Sequence, residues 1–108
     1  MKPNVLYALF VFGLPLYIGA AHAQYTPPNG FIPNAETAIA VARAVLIPIY
    51  GADTIRREEP LIAEQKADRW IVRGTLSCGD GLSACLGGTA EIEIAKNDGH
   101  IFRVTHYQ

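Results

Sequence analysis

One amphipathic stretch constrains this chain more than any other feature. Between positions 33 and 51, PNAETAIAVARAVLIPIYG, apolar residues recur at Ala35, Ala38, Ile39, Ala42, Val45, Leu46 and Ile49. That is the i, i+3, i+4, i+7 recurrence of one helix face. Asn34 stands where an N-cap accepts a backbone N–H from the open first turn, and Glu36 places negative charge where the helix dipole favours it. The opposite face carries Glu36, Thr37, Ala40 and Arg43. A helix with one apolar side needs a surface to cover it, and the residues that follow read as strands able to do so. Pro48 lacks the N–H and disfavours α geometry at Ile47. The helix therefore either ends near Leu46 or kinks and runs on to Tyr50 before Gly51 stops it; Ile49 on the apolar face favours a kink or tight turn. Positions 53–59, begun by Asp53 and closed by Pro60, predict a short second helix.

The residues before the helix read as a secretion signal rather than as part of the fold. Lys2 and the N-terminal amine give a positive start, positions 5–21 are almost wholly apolar, and Ala21-His22-Ala23 is a small-x-small cleavage site. Gly13 and Pro15 interrupt the apolar run and no stop-transfer charges follow, which argues against a membrane span. The segment is expected to be cleaved after Ala23 on export. Removing those 23 of 108 residues leaves 85, one small domain, and moves the formal net charge from −1 to −2. Basic residues are scattered among acids, so nothing in the charge pattern suits nucleic acid or an anionic membrane. Positions 24–33, with three prolines and a glycine, read as an extended linker whose Phe31 or Ile32 could fold back on the helix start. The domain itself is expected over 34–108.

Four strands are expected, over 61–65, 69–76, 88–96 and 100–107. Trp70, Val72, Gly74 and Leu76 share one face of the second; Ala90, Ile92 and Ile94 point inward on the third, and Phe102 and Val104 on the fourth. Lys66-Ala67-Asp68 joins the first two. Asn97-Asp98-Gly99 fits a three-residue hairpin with Gly99 in the left-handed position. Lys96 then faces His100, Ile94 faces Phe102, Ile92 faces Val104 and Ala90 faces His106, while Glu93 meets Arg103 and Glu91 meets Thr105 on the other side. In a meander, the strand of Glu91 and Glu93 lies between those of Arg73 and Arg103. The outer face is then an Arg/Glu/Arg lattice, either a solvated surface of weak ion pairs or a charged surface for a protein partner.

Six residues lie between Cys78 and Cys85 in a glycine-rich segment. In an oxidising compartment such a pair is expected to close as a disulfide, and the spacing fits neither a zinc pattern nor a Cys-x-x-Cys redox pair. His100 and His106 are the histidines of the mature chain. No nucleophile sits in a recognisable strained-turn motif and no glycine-rich phosphate loop precedes a helix. The expected inward positions are nearly all apolar, so the chain is read as a non-enzyme with no cofactor and no metal, and Trp70 as a core anchor beneath the helix.

The chain resembles the immunity proteins of bacterial polymorphic toxin systems with a nuclear-transport-factor-2-like fold. The likeness is carried by Glu36-Thr37-Ala38-Ile39, by Ala44-Val45-Leu46-Ile47-Pro48-Ile49-Tyr50-Gly51, by Trp70-Ile71-Val72 with Gly74-Thr75-Leu76, by Gly87-Gly88-Thr89-Ala90 with Ile92 and Ile94, by Asp98-Gly99, and by Val104-Thr105-His106. It departs from the pattern in the cysteine-bearing insertion between Leu76 and Gly87. The resemblance implies an α+β, cystatin-like fold: the amphipathic helix, with a short second one, packed on a curved four-stranded antiparallel meander. It also implies a function without catalysis, binding and neutralisation of a cognate protein toxin; a periplasmic location implies a toxin acting on cell wall or membrane. The alternatives are a general periplasmic inhibitor of a hydrolase and a small ligand-binding or enzymatic domain. The resemblance supplies no contact residues. Exposure and charge point to three candidate partner surfaces: Asp80 and Leu82 on the Cys78–Cys85 loop, a rim of Arg56, Arg57, Glu58 and Glu59, and Arg73, Glu91, Glu93 and Arg103 on the outer sheet face.

Overall fold

A computed structural model describes residues 24–77 and 87–107. The long helix, α1, is Ala35–Tyr50, and a short helix, α2, is Ala52–Arg57. Strands β1 (Ile62–Lys66), β2 (Arg69–Arg73), β3 (Ala90–Ala95) and β4 (Ile101–His106) follow, paired antiparallel in the order β1-β2-β3-β4. This is the expected α+β meander, with α1 laid across the inner face of β1, β2 and β3.

Helix α1 begins as its sequence dictates. The Asn34 side chain accepts from the Thr37 amide at 2.9 Å. The buried stripe is Ala38, Ala42 and Leu46, none with measurable exposure. Two alanines in that stripe let the helix backbone approach the sheet closely. Pro48 lies inside the helix, which continues to Tyr50 and is closed by Gly51 at φ 95, where a side chain would be strained. Ile49, expected on the buried face, is half exposed. The buried row advances in steps of four, and its next member is Tyr50, which packs partly against the core. Helix α2 starts at Ala52 with Gly51 as its cap residue, so Asp53 falls in its first turn instead of capping it.

The core is filled. Ile55, Leu61, Trp70, Val72, Ala90, Ile92 and Ile94 close around the helix stripe. Ile32 joins them, as the fold-back of the 24–33 stretch requires, while Phe31 stays half exposed. The Phe31 and Ile32 amides donate to the Asn97 and Lys96 carbonyls, tying this stretch to the β3–β4 turn. Trp70 is the anchor expected, and its indole Nε1–H donates to the Ile32 carbonyl at 2.8 Å, so a large apolar ring is buried without an orphaned donor. Among the described residues no buried side-chain polar atom lacks a partner.

The β3–β4 register departs from expectation at one point. Ala90↔His106, Glu91↔Thr105, Ile92↔Val104 and Glu93↔Arg103 pair as read from the sequence, but Ile94 pairs with Ile101, not Phe102. A bulge at this step inserts Phe102 as an unpaired residue. Correspondingly the Ala95 amide donates to the His100 carbonyl, so the loop has four residues, 96–99, instead of three, and Lys96 does not face His100. The extra loop residue and the bulge compensate each other. Their consequence is that Ile101 faces inward and Phe102 is turned out to the opposite face. Leu76 is also half exposed, because β2 ends at Arg73 and the alternation that would have buried it stops there.

Candidate functional site

The outer face of the sheet, turned away from α1, carries a connected lattice of charge. Arg73 lies opposite Glu91 and Glu93 opposite Arg103, as the meander demands. The side chains link both directly across and diagonally. Arg103 Nη2 donates to Glu91 Oε2 at 2.6 Å, Arg73 Nε donates to Glu91 Oε1 at 3.3 Å, and Arg69 Nη1 donates to Glu93 Oε1 at 2.8 Å. Tyr107 extends the network: its hydroxyl accepts from Arg103 Nη1 at 3.1 Å and donates to Glu91 Oε2 at 3.3 Å. The Arg69 guanidinium also lies 3.5 Å from the centre of the out-turned Phe102 ring, a cation–π contact created by the bulge.

Acids and bases are not equally accessible in this lattice. The side chains of Glu91 and Glu93 are 11% and 18% exposed, those of Arg69, Arg73 and Arg103 between 41% and 45%. Burial pushes the Glu91 carboxyl up, but the hydrogen bond and charge of Arg103, the charge of Arg73 and the Tyr107 hydroxyl outweigh it and hold the group below the ordinary glutamate value. Arg103 is held more firmly protonated, first by its contact with the Tyr107 hydroxyl and then by Glu91.

The rim expected at Arg56, Arg57, Glu58 and Glu59 divides in two. Arg56 and Arg57 are exposed, and Arg56 pairs with Asp53 at 2.6 Å. Glu59 is tied to Arg43 of α1 through two hydrogen bonds of 2.9 and 3.1 Å and also accepts from the Leu61 amide. The Arg43 hydrogen bond holds the Glu59 carboxyl below its usual range. Glu58 does not belong to an exposed rim, being only 8% exposed. Its Oε1 accepts from the Ala90 amide at 2.7 Å, and its Oε2 lies 2.7 Å from His106 Nε2. Gly74 makes room for it: a Cβ there would come within 2.8 Å of the Glu58 Cβ. The sequence signal for this site was a glycine inside a strand beside an inward-facing histidine.

Glu58 and His106 line an open cleft of about 390 Å³ at the end of the sheet, together with Thr54, Arg57, Thr75, Ser77 and Tyr107. A carboxylate beside a histidine in a polar cleft invites comparison with acid–base catalysis. The hydrogen bonding opposes it. His106 Nδ1 lies 3.0 Å from the Tyr107 carbonyl, which can only accept, and Nε2 is engaged by Glu58. No ring nitrogen is left to exchange a proton with a ligand, and the Tyr50 ring packs against the imidazole at 5.1 Å. The pair acts as a strut joining the α2–β1 loop to β3 and β4. Among the described residues no cluster of three or more His, Cys, Asp or Glu could hold a metal ion, and no helix is long and apolar enough to cross a membrane. The Cys78–Cys85 pair, Asp80, Leu82 and the 1–23 segment lie outside the described residues.

A helix packed on one face of an open four-stranded antiparallel sheet, with a charged outer face, defines an α+β protein of the NTF2-like class. The profile of the family described as NTF2 fold immunity protein matches residues 37–108, and the chain belongs to that family. The chain is also 31% identical over 86 residues to "Uncharacterized protein YhhH" of Escherichia coli (strain K12), an alignment covering 80% of this chain. The same alignment spans 64% of that relative, just under two thirds of its length. No solved structure matches the chain.

Proposed function

We propose that this protein is exported to the periplasm, is freed of residues 1–23 there, and neutralises a cognate toxin that attacks the cell wall or membrane. It does so by occupying the toxin, without catalysis and without a cofactor. The observation that carries this reading is the family match over residues 37–108, together with an apolar core buried between α1 and the sheet. An inhibitor that acts by binding works through its exterior. The closure of Cys78 with Cys85 is part of the same proposal, since the periplasm supports such a bond.

The test is survival. A strain producing a candidate toxin, sought among the neighbouring genes and directed to the periplasm, is expected to grow when the full chain is co-produced and to die when residues 1–23 are deleted. A toxin that stays lethal and unbound beside the exported chain would remove the proposal.

A further inference from the structure

We propose that the outer sheet face is the toxin-docking surface and that it recognises an acidic patch through the guanidinium groups of Arg69, Arg73 and Arg103. The inference rests on the immunity reading and deepens it by selecting one of three candidate surfaces and stating the chemistry of its partner. The opposite sheet face is covered by α1; among the described residues no element covers this one.

The argument is one of charge and pre-organisation. The whole chain carries a formal net charge of −1, yet the accessible charge on this face is mainly positive, because Glu91 and Glu93 lie beneath the guanidiniums. Glu64 and, at the β1–β2 turn, Asp68 are its exposed acids; Lys66 stands 3.8 Å from Glu64 and Arg69 Nε 4.0 Å from Asp68, so the accessible cations still outnumber the accessible acids. The buried carboxylates act as a scaffold. Each fixes an arginine that would otherwise be free to move, so less freedom is lost when a partner docks. Arg69 uses one N–H on Glu93, Arg73 one on Glu91, and Arg103 two, on Glu91 and Tyr107. A guanidinium has five donors, so most of them remain for a partner, and carboxylates match their paired geometry.

Ile62, Phe102 and Tyr107, each about half exposed, add apolar and aromatic area around the lattice. Ile62 stands directly opposite Arg73 in the β1–β2 register, which places it on this face. Arginine with aromatic residues is the composition of binding hot spots.

The experiment uses the full mature chain, isotope-labelled, and follows arginine Nε–H signals by NMR. The probes are a decapeptide of alternating aspartate and tyrosine, its lysine–tyrosine counterpart, and a short DNA duplex. The acidic peptide is expected to shift the signals of Arg69, Arg73 and Arg103, and to lose at least tenfold in affinity when salt rises from 20 to 300 mM. R73A and R103A are each expected to weaken it by at least fivefold with the thermal midpoint checked, and R73K to restore only part of the loss. Shifts centred on Arg56 and Arg57, equal binding of the lysine peptide or the duplex, or self-association through this face overturn the proposal, as does no binding. Those results leave protection by the wild-type chain intact, whereas loss of protection with normal peptide binding strikes the immunity reading instead.

Discussion

Glu58 is the residue on which most of the local structure converges. It accepts from the Ala90 amide, engages His106, and occupies the space that Gly74 leaves open. Glu58→Ala removes the acceptor of the buried Ala90 amide and the partner of His106, and is expected to lower the unfolding free energy by roughly 2–4 kcal/mol, read as a drop in the urea midpoint. Gly74→Ala is expected to destabilise by about 1–3 kcal/mol, because the added methyl displaces that same side chain. A midpoint unchanged in both would mean that the strut contributes nothing. Sequence reasoning placed His106 inward, which is correct, and Glu58 on a charged rim, which is not. A glutamate followed by another glutamate and a proline looks solvated; only the distant Gly74, Ala90 and His106 together reveal that it is buried.

At the scale of elements, ion pairs join parts that the core alone would leave loosely oriented. Arg43 of α1 grips Glu59 in the α2–β1 loop, and the β2–β3–β4 lattice grips Glu91. Both carboxyls are held below the ordinary glutamate value of 4.5, so each is charged more readily in the folded than in the unfolded chain. Their contribution is fully present above that value and is lost as pH falls through their folded-state values. Stability measured by urea titration from pH 7 to pH 2 should therefore fall on the acid side of 4.5, and Glu59→Gln or Glu91→Gln should flatten that fall. Parallel profiles for wild type and variants would contradict it. Pro48→Ala is expected to stabilise α1 by about 1 kcal/mol, since the helix already passes through this position and regains a hydrogen bond to Ala44.

The elements themselves were largely legible: periodicity located α1, and alternation located the strands and four pairs of the β3–β4 register. Two features were not legible. Pro48 was ambiguous because its fate depends on whether the tertiary packing of Tyr50 outweighs a lost hydrogen bond. The bulge at Phe102 was hidden because a three-residue and a four-residue loop fit the Lys96–His100 sequence equally well on local grounds. That one-residue difference turned Phe102 outward, beneath Arg69, and so concealed part of the lattice.

At the scale of the whole molecule, the proposed division of labour is between an inner face that stabilises and an outer face, uncovered among the described residues, that binds. The central claim is that this protein blocks its toxin as a stoichiometric binder. It is tested most directly by titrating the purified mature chain into a fixed amount of the toxin that the survival experiment identifies and following residual toxin activity. A linear loss of activity that ends at equal molar amounts, with a complex of both chains on size exclusion, is the predicted result. Complete inactivation by a small fraction of an equivalent, with no complex formed, would mean turnover and contradict it.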